Sequence, residues 1–377
     1  MIKKASIKLL SESALRKKHT NSLRGDTLLP SDDSLWVPSK CLPLNWMLGG
    51  GIPYGKLLEI FGYESTGKSI LALDFAQVTQ KLGGVVLWGD AERAFTPYWA
   101  AENGVNPDLV EIYDANDVEG YSDWHRDMII YYRSKLVNNE PILLVCDSIA
   151  ALECLANIDS SQADAKAEMG NRAKAIYKMY RLRNHFYSKY GVSVIMINQV
   201  RDKVGASMFE LATTTPGGAS TKFYASQRLG LNGGKQIKGR MVKGEFKEDK
   251  VKGHKVGKNI YLQIAKNKVA PPKDNIKTQV YFTTEATGYV GYSRYHGLAE
   301  ILIQKGVITK KGSYFKLNGE PIANGEDNFY KNLHEDSELR KLLISKSGIN
   351  TISKTRKKMA SLNKNIYPVQ LKTETDG

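Results

Sequence analysis

The chain has 377 residues, with 54 lysines and arginines against 39 aspartates and glutamates, for a net charge of +15. That length predicts two or three domains, the 42% apolar content excludes global disorder, and no apolar run approaches the roughly 18 residues of a membrane span. Cys41, Cys146 and Cys154 stand at unrelated spacings, which excludes a disulfide framework and a CxxC metal site and predicts buried thiols in a cytoplasmic protein without a secretory leader.

Taken in chain order, the apolar residues of the first 15 positions predict a short amphipathic helix, followed by a turn-rich linker over 20–35. From Leu57 onward short apolar runs alternate with helical stretches. Strands are predicted at Leu57–Phe61, Val85–Trp88, Ile142–Cys146 and Val192–Ile197, with further strands at Arg228–Leu231 and Ile260–Ala265. Helices are predicted over Lys68–Lys81, around Pro97–Asn103 and over Met169–Tyr190. This alternation predicts a parallel sheet covered by helices. The character changes after Pro271-Pro272, and 290–345 reads as a smaller unit.

The positive surplus is peripheral. Residues 1–35 carry a net +3, 234–258 a net +6 and 351–377 a net +4, which leaves +2 for the rest. The Gly- and Lys-rich 234–258 segment shows no clear periodicity and is expected to be a mobile hairpin or loop, either a solvated surface or an electrostatic guide for nucleic acid.

The strongest local signal is Gly62-Tyr63-Glu64-Ser65-Thr66-Gly67-Lys68-Ser69, a G-x-x-x-x-G-K-S match between a predicted strand and a predicted helix. Such a loop turns backbone amides toward phosphate oxygens at a helix N-terminus. Lys68 adds a point charge for the β/γ-phosphates, and the Ser69 hydroxyl suits Mg²⁺. The run Ile142–Asp147 ends an apolar strand on an acid placed to orient the Mg²⁺ shell. A nucleotide and Mg²⁺ are therefore the expected ligands. Glu92, after the second strand, reads either as an exposed loop acid or as the carboxylate that activates water. Gln199, at the end of the fourth, reads either as a strand cap or as a γ-phosphate sensor.

Together these elements resemble the bacterial RecA recombinase family, its phage-encoded members included. The resemblance rests on GYESTGKS at 62–69, GDAERAFTP at 89–97, LLVCDSIAAL at 143–152, INQVRDKVG at 197–205, TTTPGGASTKFYASQRL at 213–229 and KNKVAPP at 266–272. It spans roughly 36–335. It implies an α/β fold with a RecA-like P-loop NTPase core, a mainly parallel twisted sheet flanked by helices. An N-terminal helical arm for polymerisation (1–35), a core (36–272), a small α+β C-terminal domain (273–345) and a basic flexible tail (346–377) complete the expected organisation.

The resemblance further implies that Glu92 activates the hydrolytic water and that Gln199 couples the γ-phosphate to the DNA loops. Trp99 falls where the family places a tyrosine against adenine. Lys266 and Lys268 would reach the ATP of a neighbouring subunit, and Phe223 would lie in the same interface. DNA would meet a first loop at about 157–171, ending in Met169-Gly170, and a second at about 200–218, with Arg201, Lys203, Val204, Thr215, Gly217 and Gly218. Lys174 and Arg181, on the helix after the first loop, would add phosphate contacts.

The chain also departs from the pattern. Lys174 replaces an arginine, Pro216 precedes the glycine pair, and Asn232-Gly233 stands where the family has a basic pair. The tail is basic rather than acidic.

The implied activity is ATP-dependent pairing and strand exchange by a head-to-tail helical filament on single-stranded DNA, with homologous duplex as second partner. Single-strand-binding and loader proteins would assist in a bacterial cytoplasm, whether the gene is chromosomal or phage-borne. The alternatives are a hexameric RecA-fold helicase or a DNA-binding regulatory filament with little turnover.

Overall fold

The computed structural model describes residues 35–158, 165–202, 213–214, 220–242, 245–362 and 366–367. In the first part, strands β1 (Trp36–Val37) and β2 (Ile52–Pro53) pair across helix α1 (Leu42–Leu48). Then follow β3 (Leu57–Gly62), α2 (Lys68–Lys81), β4 (Val85–Asp90), α3 (Pro97–Glu102), β5 (Val110–Tyr113), α4 (Val118–Lys135) and β6 (Ile142–Asp147). Next come α5 (Leu155–Ile158), α6 (Ala165–Tyr190), β7 (Val192–Gln199), the short pair β8 (Arg201–Asp202) and β9 (Thr213–Thr214), and α7 (Ser220–Tyr224).

Four more strands complete the large sheet: β10 (Gln227–Val242), β11 (Glu245–Glu248), β12 (His254–Asn267) and β13 (Ile276–Tyr281), with β14 (Gly291–Tyr292) at its edge. The order is β14-β13-β12-β10-β3-β7-β6-β4-β5, with β11 paired to β10. From β10 to β5 every neighbour is parallel, whereas β12, β13 and β14 run antiparallel. The predicted βα alternation is thus observed, with boundaries close for the strands starting at 57, 85, 142 and 192 and for the helix Lys68–Lys81, whereas β10 and β12 run well beyond the predicted Arg228–Leu231 and Ile260–Ala265. Helices α1 and α7 and strand β13 were not foreseen, and neither were β5 and α4. The latter was legible, since Val118, Tyr121, Ser122, His125 and Ile129 form a buried stripe at helical spacing.

Both faces of the parallel strands are covered, which explains their continuous apolar runs. In β7, Ile195 and Ile197 join the core beneath α1 and α2, while Val192, Val194 and Met196 join the core beneath α4 and α6. All three cysteines are buried free thiols.

The structure decides one expectation and corrects two. Segment 234–258 takes the hairpin alternative rather than the loop: β10 and β12 run on past the sheet as an antiparallel ribbon, with register pairs from Gln236↔Lys258 to Gly239↔His254. Two bulges, at Gly233/Gln236 and Ile237/Lys238, break the strand's period of two and hide it. The boundary at 272/273 is displaced, because β13 hydrogen-bonds to β12 and belongs to the large sheet.

The described part of the 346–377 tail, residues 346–362 and 366–367, is the second correction. After α8 (Leu298–Gln304), the three-stranded sheet β15 (Thr309–Lys311), β16 (Tyr314–Leu317) and β17 (Glu320–Asn324), α9 (Glu326–Glu335) and α10 (Ser337–Ser347), the chain forms helix α11 (Ile352–Ser361). This helix docks on the core: the buried Thr355 hydroxyl donates to the Trp36 carbonyl and Arg356 Nη2 to the Lys81 carbonyl at 2.6 Å. Thr351 caps it by accepting from the Lys354 amide. Further on, Tyr367 stacks on Tyr54 and lies under the Arg133 guanidinium.

Candidate functional site: a phosphate cradle at four strand ends

Adjacent parallel strands β3, β7, β6 and β4 deliver the chemistry-bearing residues to one edge of the sheet, the carboxyl-end crevice where α/β folds bind ligands. Gly62 ends β3, Gln199 ends β7, Asp147 ends β6 and Glu92 follows β4. Gln199, Asp147 and Glu92, together with residues 64–70 and Phe282, line a cavity of about 550 Å³.

The loop from Gly62 to Ser69 turns into α2 through Gly67, at φ +83°, a left-handed conformation that glycine adopts without strain. A Cβ there would also sit 3.0 Å from the Tyr292 hydroxyl, which donates to the Gly67 carbonyl from below. The Thr66 hydroxyl closes the turn on the Tyr63 carbonyl at 2.8 Å. Lys68 folds back on its own loop, donating to the carbonyls of Gly62 at 3.1 Å and Tyr63 at 2.8 Å. Burial lowers its pKa, opposed by Asp147, Glu92 and Glu64.

Asp147 accepts a hydrogen bond from the Ser69 hydroxyl, yet its carboxyl is pushed up to about 6. Burial is the main cause, the neighbouring Glu92 and Asp90 add to it, and Ser69 and Lys68 pull the other way. Three acids thus converge on one buried lysine. That surplus of negative charge, beside a hydroxyl and a carboxylate already in contact, is a donor set that fits a hard divalent cation such as Mg²⁺.

Glu92 is held by three bonds. Its amide donates to the Asp147 carbonyl at 3.2 Å, and its Oε1 accepts from the Ser148 hydroxyl and from Gln199 Nε2 at 3.1 Å. Asp90 shapes the same turn by accepting from the amides of Ala94 and Phe95, both at 3.0 Å.

The structure does not bring every expected residue to this cavity. Trp99 is half-buried against the core and lines a separate hollow of about 40 Å³ with Trp88 and Phe95, bounded also by Ser69 and Asp147. Lys266 donates to the carbonyls of Lys222 and Phe223 at the end of α7, and Lys268 is exposed. Both lie at the far end of the sheet, since the Lys268 amide bonds Ser226 next to Leu57, at the start of β3. Five residues of strand, about 16 Å, separate that end from Gly62. Phe223 is 73% exposed.

Met169 and Gly170 lie within helix α6 rather than in a loop; Met169 is exposed, as are Lys174 and Arg181 further along it. The backbone of Arg201 belongs to β8. Lys203, Val204, Thr215, Gly217 and Gly218 lie outside the described residues. Three residues escaped the sequence reading: Ser148, Phe282 and Tyr292. Ser148 had a signal, as the position after the strand-end acid, whereas the other two arrive from distant strands and had none.

With this geometry in place, comparison with known proteins is informative. The RecA N-terminal domain family model matches residues 31–287. The chain belongs to the RecA family. A RecA protein of Streptococcus mutans is 35% identical over 305 residues, covering 80% of this chain and 73% of that one. One from Streptococcus pyogenes serotype M5 is 36% identical over 305 residues, with 80% and 74% covered. One from a Picosynechococcus species is 33% identical over 310 residues, with 82% and 81% covered. As a RecA-family member the chain is a DNA-recombination protein, and the mainly parallel sheet with its small antiparallel C-terminal sheet is the fold expected of it.

Proposed function

We propose that this chain is a DNA-dependent ATPase that drives homologous pairing and strand exchange as a head-to-tail filament on single-stranded DNA. The observation that carries the reading is the Glu92–Gln199 contact on the wall of the phosphate cradle, 3.1 Å between Oε1 and Nε2.

ATP would lay its phosphates against the amides of residues 63–69, with Lys68 released from its loop carbonyls to meet the β/γ-phosphates. Ser69 and Asp147 would hold Mg²⁺, which when bound neutralises charge on the phosphates. Glu92, fixed by Ser148 and by its own amide, would accept the proton of the attacking water. Gln199 ends the strand that leads into β8 and the DNA-facing segment, so binding there moves the residue that holds the base.

Lys266 and Lys268 are too far along the sheet to serve their own cradle and would supply charge to a neighbour's, where cations act on the transition state only after assembly. Phe223, apolar and exposed beside them, fits the same contact. Trp99 would stack on the base from its hollow beside Ser69. Exposed Lys174 and Arg181, with Arg201 and the 203–218 segment, would grip phosphates without reading sequence. The basic ribbon and α11 would steer duplex DNA.

ATP hydrolysis measured with and without single-stranded DNA, alongside strand exchange between homologous DNAs, tests the whole. Stimulation by DNA that disappears in Glu92→Gln, with nucleotide-dependent DNA binding kept, is the expected result. Turnover that survives Glu92→Gln refutes the assignment of the base, and absence of DNA stimulation in the unaltered protein refutes the recombinase reading.

A further inference from the structure

Strand β12 carries an apolar row toward the core on the α2 side, with Ile260 and Leu262 fully buried. Strand residues two apart share a face, so the next position in that row is Lys258. A lysine here interrupts an inward-facing row where the core gives way to the phosphate loop. Its Nζ lies 3.3 Å from the Ser65 carbonyl.

The surroundings make room for it. Opposite, β10 carries one extra residue, since Gly233 pairs with Ile260 but Gln236 pairs with Lys258. Such bulges bend a strand and re-aim side chains, often beside active sites. Gly233 leaves the space that the ammonium fills, because a Cβ there would lie 2.5 Å from Lys258 Nζ and push it aside. The next residue, Asn259, is tied on both sides, donating to the Lys235 carbonyl at 3.1 Å and accepting from Gln279 Nε2 at 3.4 Å.

We infer that Lys258 is a positioning residue of the nucleotide site, which strengthens phosphate binding from behind the loop through the Ser65–Thr66 peptide. This rests on reading the cavity as a nucleotide site. The peptide between Ser65 and Thr66 is trans and planar, so the carbonyl that receives the ammonium and the Thr66 N–H point in opposite directions. Thr66 lines the cavity. A positive charge on the carbonyl polarises the peptide, making the N–H a better donor to an anion on the other side. It also holds Ser65, at φ +55°, in the left-handed conformation the cradle needs.

The test is calorimetric binding of Mg²⁺·ADP to the full chain. Lys258→Met keeps the stem and removes the charge; it is expected to raise Kd about three- to tenfold, while Lys258→Arg stays within about twofold of the unaltered protein. Melting of the nucleotide-free Met variant should stay within about 2 °C. Gly233→Ala displaces the ammonium while leaving Lys258 itself unchanged and should weaken ADP to the same extent, which keeps the proposal testable if Lys258→Met folds poorly.

A Kd for Lys258→Met within about twofold of the unaltered protein overturns the inference. So does an Arg variant as weak as Met with lowered nucleotide-free melting, which would mark a packing role. Lys68→Ala separates the two levels of argument: loss of ADP there with no effect at Lys258 removes only this inference. No ADP binding by the unaltered protein removes the nucleotide site and this inference with it.

Discussion

Gln199 donates its side-chain amide to the carboxylate of Glu92 across the ends of β7 and β4, at 3.1 Å. The same carboxylate oxygen is fixed on its other side by Ser148, so on the proposed reading removing Gln199 leaves Glu92 oriented but detaches it from the strand that leads into β8. Gln199→Ala is therefore expected to keep DNA-independent hydrolysis within about threefold of normal while losing most of the stimulation by single-stranded DNA. Glu92→Gln should instead lose about 100-fold or more under both conditions. Parallel loss of basal and stimulated rates in Gln199→Ala would show that the amide serves chemistry rather than coupling.

Asp147 makes stability depend on pH. Its folded pKa of about 6 exceeds the ordinary carboxylate value near 4. The folded chain thus holds this proton more tightly than the unfolded one. The stabilisation is complete below about pH 4 and is lost as pH rises through 6, which sets the nucleotide-free protein at neutral pH back by up to about 3 kcal/mol. Asp147→Asn should recover part of that at pH 7.5 and little at pH 4, read by denaturant unfolding, and should lose Mg²⁺-dependent nucleotide affinity. Equal effects at both pH values would contradict the assignment.

Behind the cradle, Glu59 is fully buried in β3 and is paired with Arg228 of β10 and with Asn198 Nδ2 at 3.0 Å. Cutting one partner strands the other. Arg228→Met should cost about 3–5 kcal/mol in unfolding, and the double variant Glu59→Gln/Arg228→Met should restore much of it. Additive losses in the double-mutant cycle would show that the two do not act as a pair.

Lys354, Arg356, Lys357 and Lys358 lie on the docked helix α11, so truncation of the tail confounds charge with packing. Removing residues 351–377 takes away the buried Thr355 and the packing of Met359 and Tyr367 against Tyr54, and should lower stability by about 2–4 kcal/mol. A cleaner test of duplex steering neutralises the exposed Lys247, Lys252 and Lys255 of the ribbon with Lys357 of α11. That variant should fold normally and show a flatter salt dependence of duplex binding, by about 0.9 in slope for each phosphate no longer neutralised. Single-strand binding should change less; equal losses on both DNAs would refute a duplex-specific role.

Much of the core was legible because its signals are local. Lys68–Lys81 is a helix at the expected residues, and the strands at 57, 85, 142 and 192 begin where their apolar runs begin. A phosphate loop needs its glycines, lysine and serine consecutive in one chain segment, so the motif is visible without any fold. Glu92, Asp147 and Gln199 were visible for a related reason, since parallel strands bring polar residues just past their C-terminal ends to one crevice.

What the sequence by itself determined was the set of groups at the site: a glycine-rich loop with its lysine and serine, two carboxylates and an amide at strand ends. Only the tertiary structure decided the rest, because it depends on which distant strands become neighbours. Lys258 reaches the phosphate loop from 193 residues away, and Tyr292 supports Gly67 from 225 away. The 234–258 segment looked aperiodic because its ribbon is bulged, and the tail looked free because the surface that receives Thr355 is built by β1, more than 300 residues earlier. The +15 charge is peripheral, as its distribution along the chain indicates. That much of it rides on ordered strand and helix follows from backbone pairing and docking, which no count of charges contains.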